Sequence, residues 1–205
     1  MAILGGTGSF GRALAARLAA VGEDDVVIGS RDAARAQAAA AELGVSGATN
    51  EEAVRGAHLA VLAVNADAAL DTARGIAAAL GATPLLSVAS AIRFEKGVGM
   101  LPDPEPRSLA ERVQEVVQAP VLAGLHSVAA ANLAEEHPDE DALVCGDDAA
   151  AKSLALELAA KLVGGRALDA GPLASARALE GLTAVIVNLN RRYKAHAGVR
   201  VTGVE

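Results

Sequence analysis

The feature that most constrains the fold of this chain is a glycine-rich stretch close to its N-terminus. It reads Ile3-Leu4-Gly5-Gly6-Thr7-Gly8-Ser9-Phe10-Gly11, and apolar residues then recur at helical spacing through Arg12–Val21. A short apolar strand, a glycine turn and an amphipathic helix in this order form the phosphate-binding unit of dinucleotide-binding sheets. The stretch therefore predicts an α/β chain built on a Rossmann-type, doubly wound and mostly parallel sheet.

Three glycines of this stretch fit the pattern G-x-G-x-x-G. We expect Gly6 to let the chain turn sharply and Gly8 to let backbone N–H groups approach a pyrophosphate. We expect Gly11 to let the helix, whose N-terminus attracts anions, lie close to the strand. The residues assigned to this part of the cofactor site are Gly6, Thr7, Gly8, Ser9, Phe10 and Gly11.

The same stretch also fits a second spacing. Gly5, Gly8 and Gly11 match G-x-x-G-x-x-G, which is typical of extended short-chain dehydrogenases. Those enzymes need a tyrosine and a lysine four residues apart, so that the lysine lowers the pKa of the tyrosine. Tyr193 is the only tyrosine of the chain, and the residue four positions later is Ala197. That interpretation therefore lacks its catalytic acid.

The end of the second predicted strand, Asp25–Gly29, indicates which dinucleotide binds. Ser30 and Arg31 follow this strand, and Arg31 lies about 20 residues after the glycines, where a NAD site carries an acidic residue and a NADP site an arginine. Arg35 follows one helical turn later. The pattern favours NADP over NAD. The alternative is that both arginines are solvated charges in the first turn of the next helix.

Two further apolar segments, Leu59–Val64 and Pro84–Val88, are predicted strands. The segments that leave them, Val64–Asp67 and Ser87–Ile92, reach the same edge of the sheet as the glycine turn. Ligands of open α/β sheets bind at this edge. We therefore add three residues to the cofactor site: Val64, Asn65 and Ala89. The proline- and glycine-rich segment Gly97–Pro106 is predicted to be a loop.

His126 is the histidine with the best position for a role in the site, because it follows the predicted strand Val121–Leu125. Ser127 and Val128 beside it add a hydroxyl group and backbone N–H groups. The alternative is a core histidine that backbone groups satisfy, and the sequence leaves both interpretations open.

Two other residues have weaker claims to a chemical role. His137 lies in the acidic segment Leu133–Asp141, and no second histidine at metal-ligand spacing accompanies it, so we predict a solvated acidic loop without a metal. Cys145 lies in an apolar strand without a basic neighbour. This setting is typical of a buried small residue and not of a nucleophile.

The charge and composition of the chain exclude several classes of protein. The 205 residues carry a net charge of −7, which argues against general nucleic-acid binding. No apolar run approaches the ~18 residues of a membrane span, and the chain begins on a strand, so we expect neither a membrane anchor nor a signal peptide. The single cysteine indicates a reducing compartment. We expect a cytoplasmic protein whose ligands are small-molecule cofactors.

The C-terminal part, residues 171–205, is predicted to be a small helical segment that follows a nucleotide-binding domain of residues 1–170. A long helix is predicted over Leu173–Ala197. Its apolar face is too extensive for an isolated appendage, so we predict a homodimer. The basic cluster Arg191–Lys194 is either a solvated helix end or a site for the anionic tail of a second ligand.

Four motifs give the chain a resemblance to a known family. They are Leu4-Gly5-Gly6-Thr7-Gly8, Gly29-Ser30-Arg31, Val144-Cys145-Gly146-Asp147-Asp148 and Leu168-Asp169-Ala170-Gly171-Pro172-Leu173. With these motifs the chain resembles the F420H2:NADP oxidoreductases, which are NADPH-dependent reductases of the deazaflavin coenzyme F420. The resemblance extends over nearly the whole chain. It implies an enzyme that transfers a hydride between NADP(H) and F420.

The resemblance also implies roles for individual residues. Thr7, Ser30 and Arg31 would hold NADP, with Arg35 at a position that is often basic in the family. The residues that would line the deazaflavin pocket are His126, Ser127, Val128, Leu182 and Thr183. His126, or the N–H groups after it, would stabilise the negative charge that a hydride brings to the deazaflavin.

The chain departs from the family pattern around the second cofactor. The family commonly has a proline and a bulky aromatic residue where Val64-Asn65-Ala66 stands here. Gly181 occupies a position that usually carries a hydroxyl group or a larger side chain. Two other functions therefore stay open: an NADPH-dependent imine or keto-acid reductase of similar fold, and a catalytically silent NADP-binding sensor.

Overall fold

A computed structural model describes residues 1–22, 25–133 and 138–204. The strands within these residues are β1 (Ala2–Leu4), β2 (Val27–Ser30), β3 (Ser46–Thr49), β4 (Ala60–Leu62), β5 (Leu85–Ser87), β6 (Ile92–Glu95), β7 (Gly99–Pro102), β8 (Val121–Gly124), β9 (Ala142–Gly146) and β10 (Ala167–Asp169). The helices are α1 (Ser9–Ala20), α2 (Ala33–Leu43), α3 (Asn50–Val54), α4 (Ala66–Leu80), α5 (Leu109–Gln114), α6 (Ala130–Leu133), α7 (Ala149–Leu162) and α8 (Ala176–Tyr193). Among the described residues, no helix combines the length and the apolar character that crossing a membrane requires.

The main sheet has eight strands in the order β10-β9-β8-β5-β4-β1-β2-β3. Neighbouring strands run parallel except for β8 and β9, which are antiparallel. The predicted doubly wound, mostly parallel fold is therefore confirmed. The strand order reverses at β1, because β2 and β3 lie on one side of it and the later strands on the other. Ligands bind outside the carboxyl ends of the strands at such a switch point.

Both faces of the sheet are buried under helices, as is usual for parallel strands. Residues alternate along each strand between two cores. Ile3 packs with α1, α2 and α7 on one face, while Ala2 and Leu4 pack with α3, α4, α5 and α8 on the other. The last helix thus shares a core with the sheet, and the division between residues 1–170 and 171–205 stays a prediction.

A two-stranded hairpin replaces part of the loop predicted over Gly97–Pro106. That prediction is wrong for β7, which pairs antiparallel with β6. The side-chain amide of Asn188 in α8 accepts a hydrogen bond from the N–H of Met100 at 2.8 Å and donates to its carbonyl oxygen at 2.7 Å. Gly99 permits this approach, since a Cβ there would lie 2.7 Å from Oδ1 of Asn188. The local proline and glycine content does not reveal this distant partner.

A buried carboxylate joins α8 to the N-terminus of α5. Glu180 is 4% exposed and accepts hydrogen bonds from the backbone N–H groups of Leu109 and Ala110 at 2.9 and 3.0 Å. Ser108 caps the same helix end through the N–H of Glu111. Together the two side chains satisfy N–H groups that lack partners within the helix. Burial raises the pKa of Glu180, while the two N–H groups act in the opposite direction.

We expect Glu180→Ala to lower the free energy of unfolding by about 2–3 kcal/mol, because it leaves two buried N–H groups without an acceptor. Equilibrium unfolding in urea measures this loss. Glu157→Ala, on the exposed side of α7, is the matched control and should change the free energy of unfolding by less than about 0.5 kcal/mol. Equal losses in the two variants would show that Glu180 does not stabilise the contact between α5 and α8.

The segment after α8 folds back onto the start of β9. The carboxylate of Asp141 accepts hydrogen bonds from the guanidinium of Arg166 at 2.9 Å and from the backbone N–H groups of Arg166 and Val201, both at 2.8 Å. The Arg166 side chain, followed by these backbone donors, holds the pKa of Asp141 well below its usual range. Asp141 and Glu140 are both buried. The predicted solvated acidic loop is therefore wrong at these two residues, and His137 lies outside the described residues.

Candidate functional site

The chain reverses direction after β1 at Gly5, whose φ is +74°. Gly6 lies within this turn, because the N–H of Gly8 bonds to the carbonyl oxygen of Gly5 at 2.9 Å, but the left-handed conformation that favours glycine falls one residue earlier. Gly6 is needed for a different reason, since a Cβ there would lie 2.7 Å from Cγ2 of Ile28. Gly5 and Gly6 each belong to one of the two glycine spacings that fit this stretch. The backbone conformation shows that Gly5 supplies the left-handed residue and that Gly6 leaves space for Ile28.

The helix after the turn packs directly on the turn backbone. A Cβ on Gly11 would lie 2.7 Å from Cα of Gly6 and 2.8 Å from the carbonyl oxygen of Gly5. The close approach predicted for Gly11 is thus present. Gly8 is the N-cap residue of α1 and has no side chain to cap it. The first N–H groups of α1 are therefore free to meet an anion.

Two arginines stand at the end of β2. Asp32 is the N-cap of α2, and its carboxylate accepts hydrogen bonds from the N–H groups of Ala34 and Arg35 at 2.9 and 3.2 Å. Arg31 therefore precedes the helix, and the alternative that it belongs to the first helical turn is wrong. Both guanidinium groups are exposed, and neither has an ion-pair or hydrogen-bond partner in the described part of the chain. They are available to an anionic ligand.

A cavity of about 360 Å³ lies between the glycine turn, the end of β2 and the start of α4. It brings together predicted site residues from three parts of the sequence, namely Thr7, Gly8, Ser30, Arg31, Arg35, Val64 and Asn65. A larger cavity of about 740 Å³ shares several of its walls. Four other predicted residues, Gly6, Ser9, Phe10 and Gly11, do not line either cavity. Phe10 instead packs against the core on one face of the sheet.

The cavity also has lining residues that are not among the predicted site residues, namely Gly5, Asp32, Asn50, Ala63, Ala68 and Thr72. Asn50 follows β3 at the binding edge, and its buried Oδ1 accepts no hydrogen bond within the described ranges. The sequence of β3 is Ser-Gly-Ala-Thr, which lacks the apolar or β-branched run that marks a strand. The capping box of Thr49 and Glu52 is the signal that could have placed Asn50 at this edge.

A second group of polar side chains meets at the carboxyl ends of β5 and β8. Oγ of Ser90 lies 3.1 Å from Nδ1 of His126 and 2.7 Å from Oγ1 of Thr183. Oγ1 of Thr183 donates a hydrogen bond to the carbonyl oxygen of His126 at 3.0 Å. Two predicted site residues are thus in contact, and Ser90, which follows the predicted residue Ala89, joins them.

His126 is held in the protein interior in its neutral form. It is 7% exposed, and burial lowers its pKa to about 4. Nδ1 contacts a hydroxyl group, and Nε2 is buried without a hydrogen-bond partner among the described residues. The alternative of a core histidine satisfied by backbone groups is therefore wrong. The preceding residue, Leu125, has a φ of +62°, which is a strained conformation that often accompanies functional sites.

The other residues predicted for the second cofactor are neighbours in sequence of Ser90, His126 and Thr183, and they differ in how far they are buried. Ala89, Ser127 and Val128 are buried, and Leu182 on α8 is half-buried. The hydroxyl of Ser127 donates to the carbonyl oxygen of Asp141 at 3.4 Å, so the protein itself occupies this donor. Cys145 is fully buried, and burial raises its pKa to about 11. It is a structural residue, as predicted.

The chain is similar to known proteins over its whole length. Residues 1–91 match the family described as NADP oxidoreductase coenzyme F420-dependent. The chain is 36% identical to the F420-dependent NADP reductase of Methanothermobacter marburgensis, and the alignment covers all of this chain and 98% of that protein. This chain belongs to the F420-dependent NADP reductase family. The family resemblance inferred from the sequence motifs is thereby confirmed.

Solved structures agree with membership of the F420-dependent NADP reductase family. A crystal structure of a candidate F420-dependent NADP reductase from Arthrobacter sp. FB24 has a TM-score of 0.86 at 27% identity, and the match covers 98% of each chain. An imine reductase of Streptomyces aurantiacus has a TM-score of 0.64 at 24% identity, and the match covers 94% of this chain but 60% of the imine reductase. This second likeness shows a shared fold and no more.

Proposed function

We propose that this chain is an oxidoreductase that transfers a hydride between NADP(H) and the deazaflavin coenzyme F420. The observation that carries the proposal is one cavity in which a glycine turn faces two arginines whose guanidinium groups have no partner within the described ranges, in a chain of the F420-dependent NADP reductase family. The polar group around Ser90 lies at the ends of β5 and β8, and β5 pairs directly with β4. The two sites are therefore neighbours along the same edge of the sheet.

The NADP half of the site is supported by charge and by backbone geometry. The N-terminus of α1 would receive the pyrophosphate, because free N–H groups and the positive end of the helix dipole meet there. Arg31 and Arg35, beside Ser30, would hold the 2′-phosphate, since guanidinium groups form strong charge-assisted hydrogen bonds with phosphate. Asn50 also lines this cavity, beside Ser30 and Arg31.

The surroundings of Ser90 suit a flat, largely apolar ring with polar edges. Ala89, Val128 and Leu182 supply aliphatic contacts, while His126 supplies a buried nitrogen for which the described residues offer no partner. A few polar groups among apolar side chains are typical of cofactor sites. These residues fit a deazaflavin, although the chain offers the ring little aromatic stacking.

The main task of the protein in this reaction would be to position its two ligands. NADPH would supply the hydride and the deazaflavin would accept it, so the reaction needs no nucleophile or general acid from the protein. The ends of β1 and β4 hold one ligand and the ends of β5 and β8 hold the other. Because these strands belong to one sheet, they would hold the two ligands beside each other.

Mixing the purified protein with NADPH and oxidised F420 tests this function. We expect the visible absorption band of the oxidised deazaflavin to disappear as an equal amount of NADPH is consumed. An imine or keto-acid reductase of similar fold would leave the band intact and consume NADPH with an imine or a keto acid. A catalytically silent NADP-binding protein would bind NADPH and do neither. Either of these results would contradict the proposal.

We propose in addition that the chain forms a homodimer through the outer face of α8. Val185, Leu189 and Tyr193 follow one another at intervals of four residues and are all exposed. Phe94 of the hairpin is also exposed, and the guanidinium of Arg191 in α8 stacks 5.0 Å from the centre of its ring. An exposed apolar surface such as the stripe on α8 is typical of an interface. Pairing of one such face with its copy gives a two-fold symmetric dimer.

Sedimentation velocity at micromolar concentration tests the dimer. We expect a dimer for the natural sequence and a monomer for Leu189→Glu, because a carboxylate without a partner is costly to bury. Val21→Glu is the matched control, since Val21 is an exposed residue at the end of α1 on the opposite face of the sheet. It should stay dimeric. A monomer for the natural sequence would contradict the proposal.

We also propose that the protein works in the cytoplasm. Cys145 is the only cysteine of the sequence, and it is buried as a free thiol. A chain without disulfides is typical of a reducing compartment. Cell fractionation would test the location, and recovery of the protein outside the cytoplasm would contradict it.

A further inference from the structure

The hydrogen bonds around Ser90 determine which nitrogen of His126 carries a hydrogen. The hydroxyl of Thr183 donates to the carbonyl oxygen of His126 at 3.0 Å, so it has no hydrogen left for Ser90. The hydroxyl of Ser90 must then donate to Oγ1 of Thr183 across 2.7 Å. Oγ of Ser90 can consequently only accept across the 3.1 Å contact with Nδ1 of His126. Nδ1 must therefore carry the hydrogen.

Other arrangements of the hydrogens fail on the same distances. If Ser90 donated to Nδ1, no hydrogen would remain for the 2.7 Å contact between the two hydroxyl oxygens. If Thr183 donated to Ser90 instead, its oxygen would face the carbonyl oxygen of His126 at 3.0 Å without a hydrogen between them. Each alternative leaves two oxygens in close contact with no hydrogen between them. One arrangement alone satisfies all three contacts.

The other nitrogen of the ring is consequently a bare acceptor. A buried imidazole is neutral at neutral pH when its pKa is lowered to about 4. A neutral imidazole with its hydrogen on Nδ1 has a lone pair on Nε2. Nε2 is buried and has no hydrogen-bond partner among the residues that the structure describes. Since Nε2 has almost no accessible surface in the free chain, a ligand must displace the atoms that cover it.

We infer that Ser90 is a positioning residue that holds His126 with its hydrogen on Nδ1, so that Nε2 accepts a hydrogen bond from a ring N–H group of the second cofactor. The identity of that cofactor rests on the proposed function, whereas the position of the hydrogen does not. The inference reverses the role that the family resemblance implies for His126. A nitrogen without a hydrogen cannot donate to a developing negative charge.

Nitrogen NMR of protein labelled in its histidines tests the position of the hydrogen in the free chain. Nitrogens with and without a hydrogen resonate far apart, and His126→Gln identifies the signals among those of the 4 histidines. We expect the hydrogen on Nδ1 at pH 7 in the natural sequence and a mixture of both forms in Ser90→Ala. Ser87→Ala is the matched control, because Ser87 is fully buried on β5 and its hydroxyl has no partner among the described residues. A hydrogen on Nε2 in the natural sequence would overturn the inference.

Titration with oxidised F420 then tests the accepting role. We expect the Nε2 signal to shift on binding and Ser90→Ala to weaken F420 binding about tenfold, with NADPH binding unchanged. Ser90→Thr keeps the hydroxyl and should restore both the tautomer and the affinity. An unmoved Nε2 signal at saturating F420 would overturn the accepting role alone. A complete failure of F420 to bind would overturn the proposed function with it, while leaving the tautomer measured in the free chain.

Discussion

Arg31→Ala should weaken NADPH binding by about 30- to 150-fold and leave NADH binding nearly unchanged, which corresponds to about 2–3 kcal/mol for charge-assisted hydrogen bonds to a phosphate. Arg31 lines the cavity at the end of β2, and its guanidinium has no partner in the described part of the chain. NADH lacks the 2′-phosphate and loses nothing when the guanidinium is removed. Fluorescence titration with each dinucleotide measures both affinities.

Arg107→Ala is the matched control for the arginine variant. Arg107 is also an exposed arginine, but it pairs with Glu115 and does not line either cavity. Its removal should change neither affinity, because exposed ion pairs contribute little. If Arg31→Ala weakened NADPH and NADH equally, Arg31 would not contact the 2′-phosphate, and the preference for NADP would have to come from elsewhere.

Gly11→Ala should weaken NADPH and NADH binding alike, by at least about tenfold, and lower the free energy of unfolding by about 1–3 kcal/mol. The new Cβ would meet Cα of Gly6 at 2.7 Å and the carbonyl oxygen of Gly5 at 2.8 Å. Both are backbone atoms, so the turn itself must shift. The turn and the N-terminus of α1 present N–H groups to the pyrophosphate, which both dinucleotides share. Titration and urea unfolding measure the two effects.

A glycine in open space serves as the control for stability. Gly75 lies on α4, and apart from the backbone of its own helix no described residue has an atom within 4 Å of an added Cβ. Gly75→Ala should raise the free energy of unfolding by about 0.5–1 kcal/mol, because alanine loses less conformational entropy in a helix. A Gly11→Ala variant as stable as the natural protein would show that α1 does not pack closely on the turn.

The parts of the fold that the sequence predicts are those with local signals. The predicted strands Leu59–Val64 and Pro84–Val88 contain β4 and β5, because a continuous apolar run marks a strand buried on both faces. The glycine stretch predicts β1, the turn and α1, because the glycine spacing marks the point where a strand passes into a helix. Arg31 is placed at the cavity because the distance along the chain from a glycine turn to the end of the second strand varies little in this fold.

The parts that the sequence does not predict depend on contacts between distant residues. Ser90 and Thr183 are 93 positions apart and meet through a single hydrogen bond. In the sequence, Glu180 is indistinguishable from a surface glutamate of an amphipathic helix. Its carboxylate is buried because the N-terminus of α5 packs against it and donates two hydrogen bonds. Asp141 lies in an acidic segment and is covered by a tail 60 residues further on. The sequence pattern within each of these segments does not indicate which distant residue it contacts.

Transfer of deuterium from labelled NADPH tests hydride transfer most directly. In two experiments, NADPH with deuterium on one or the other face of nicotinamide C4 is mixed with oxidised F420 and a catalytic amount of the protein in ordinary water. We predict that one of the two places its deuterium at C5 of the reduced deazaflavin, because direct transfer would carry the hydride from nicotinamide C4 to that carbon without exchange with water. Reduced F420 without deuterium in both experiments would contradict direct transfer between the two rings.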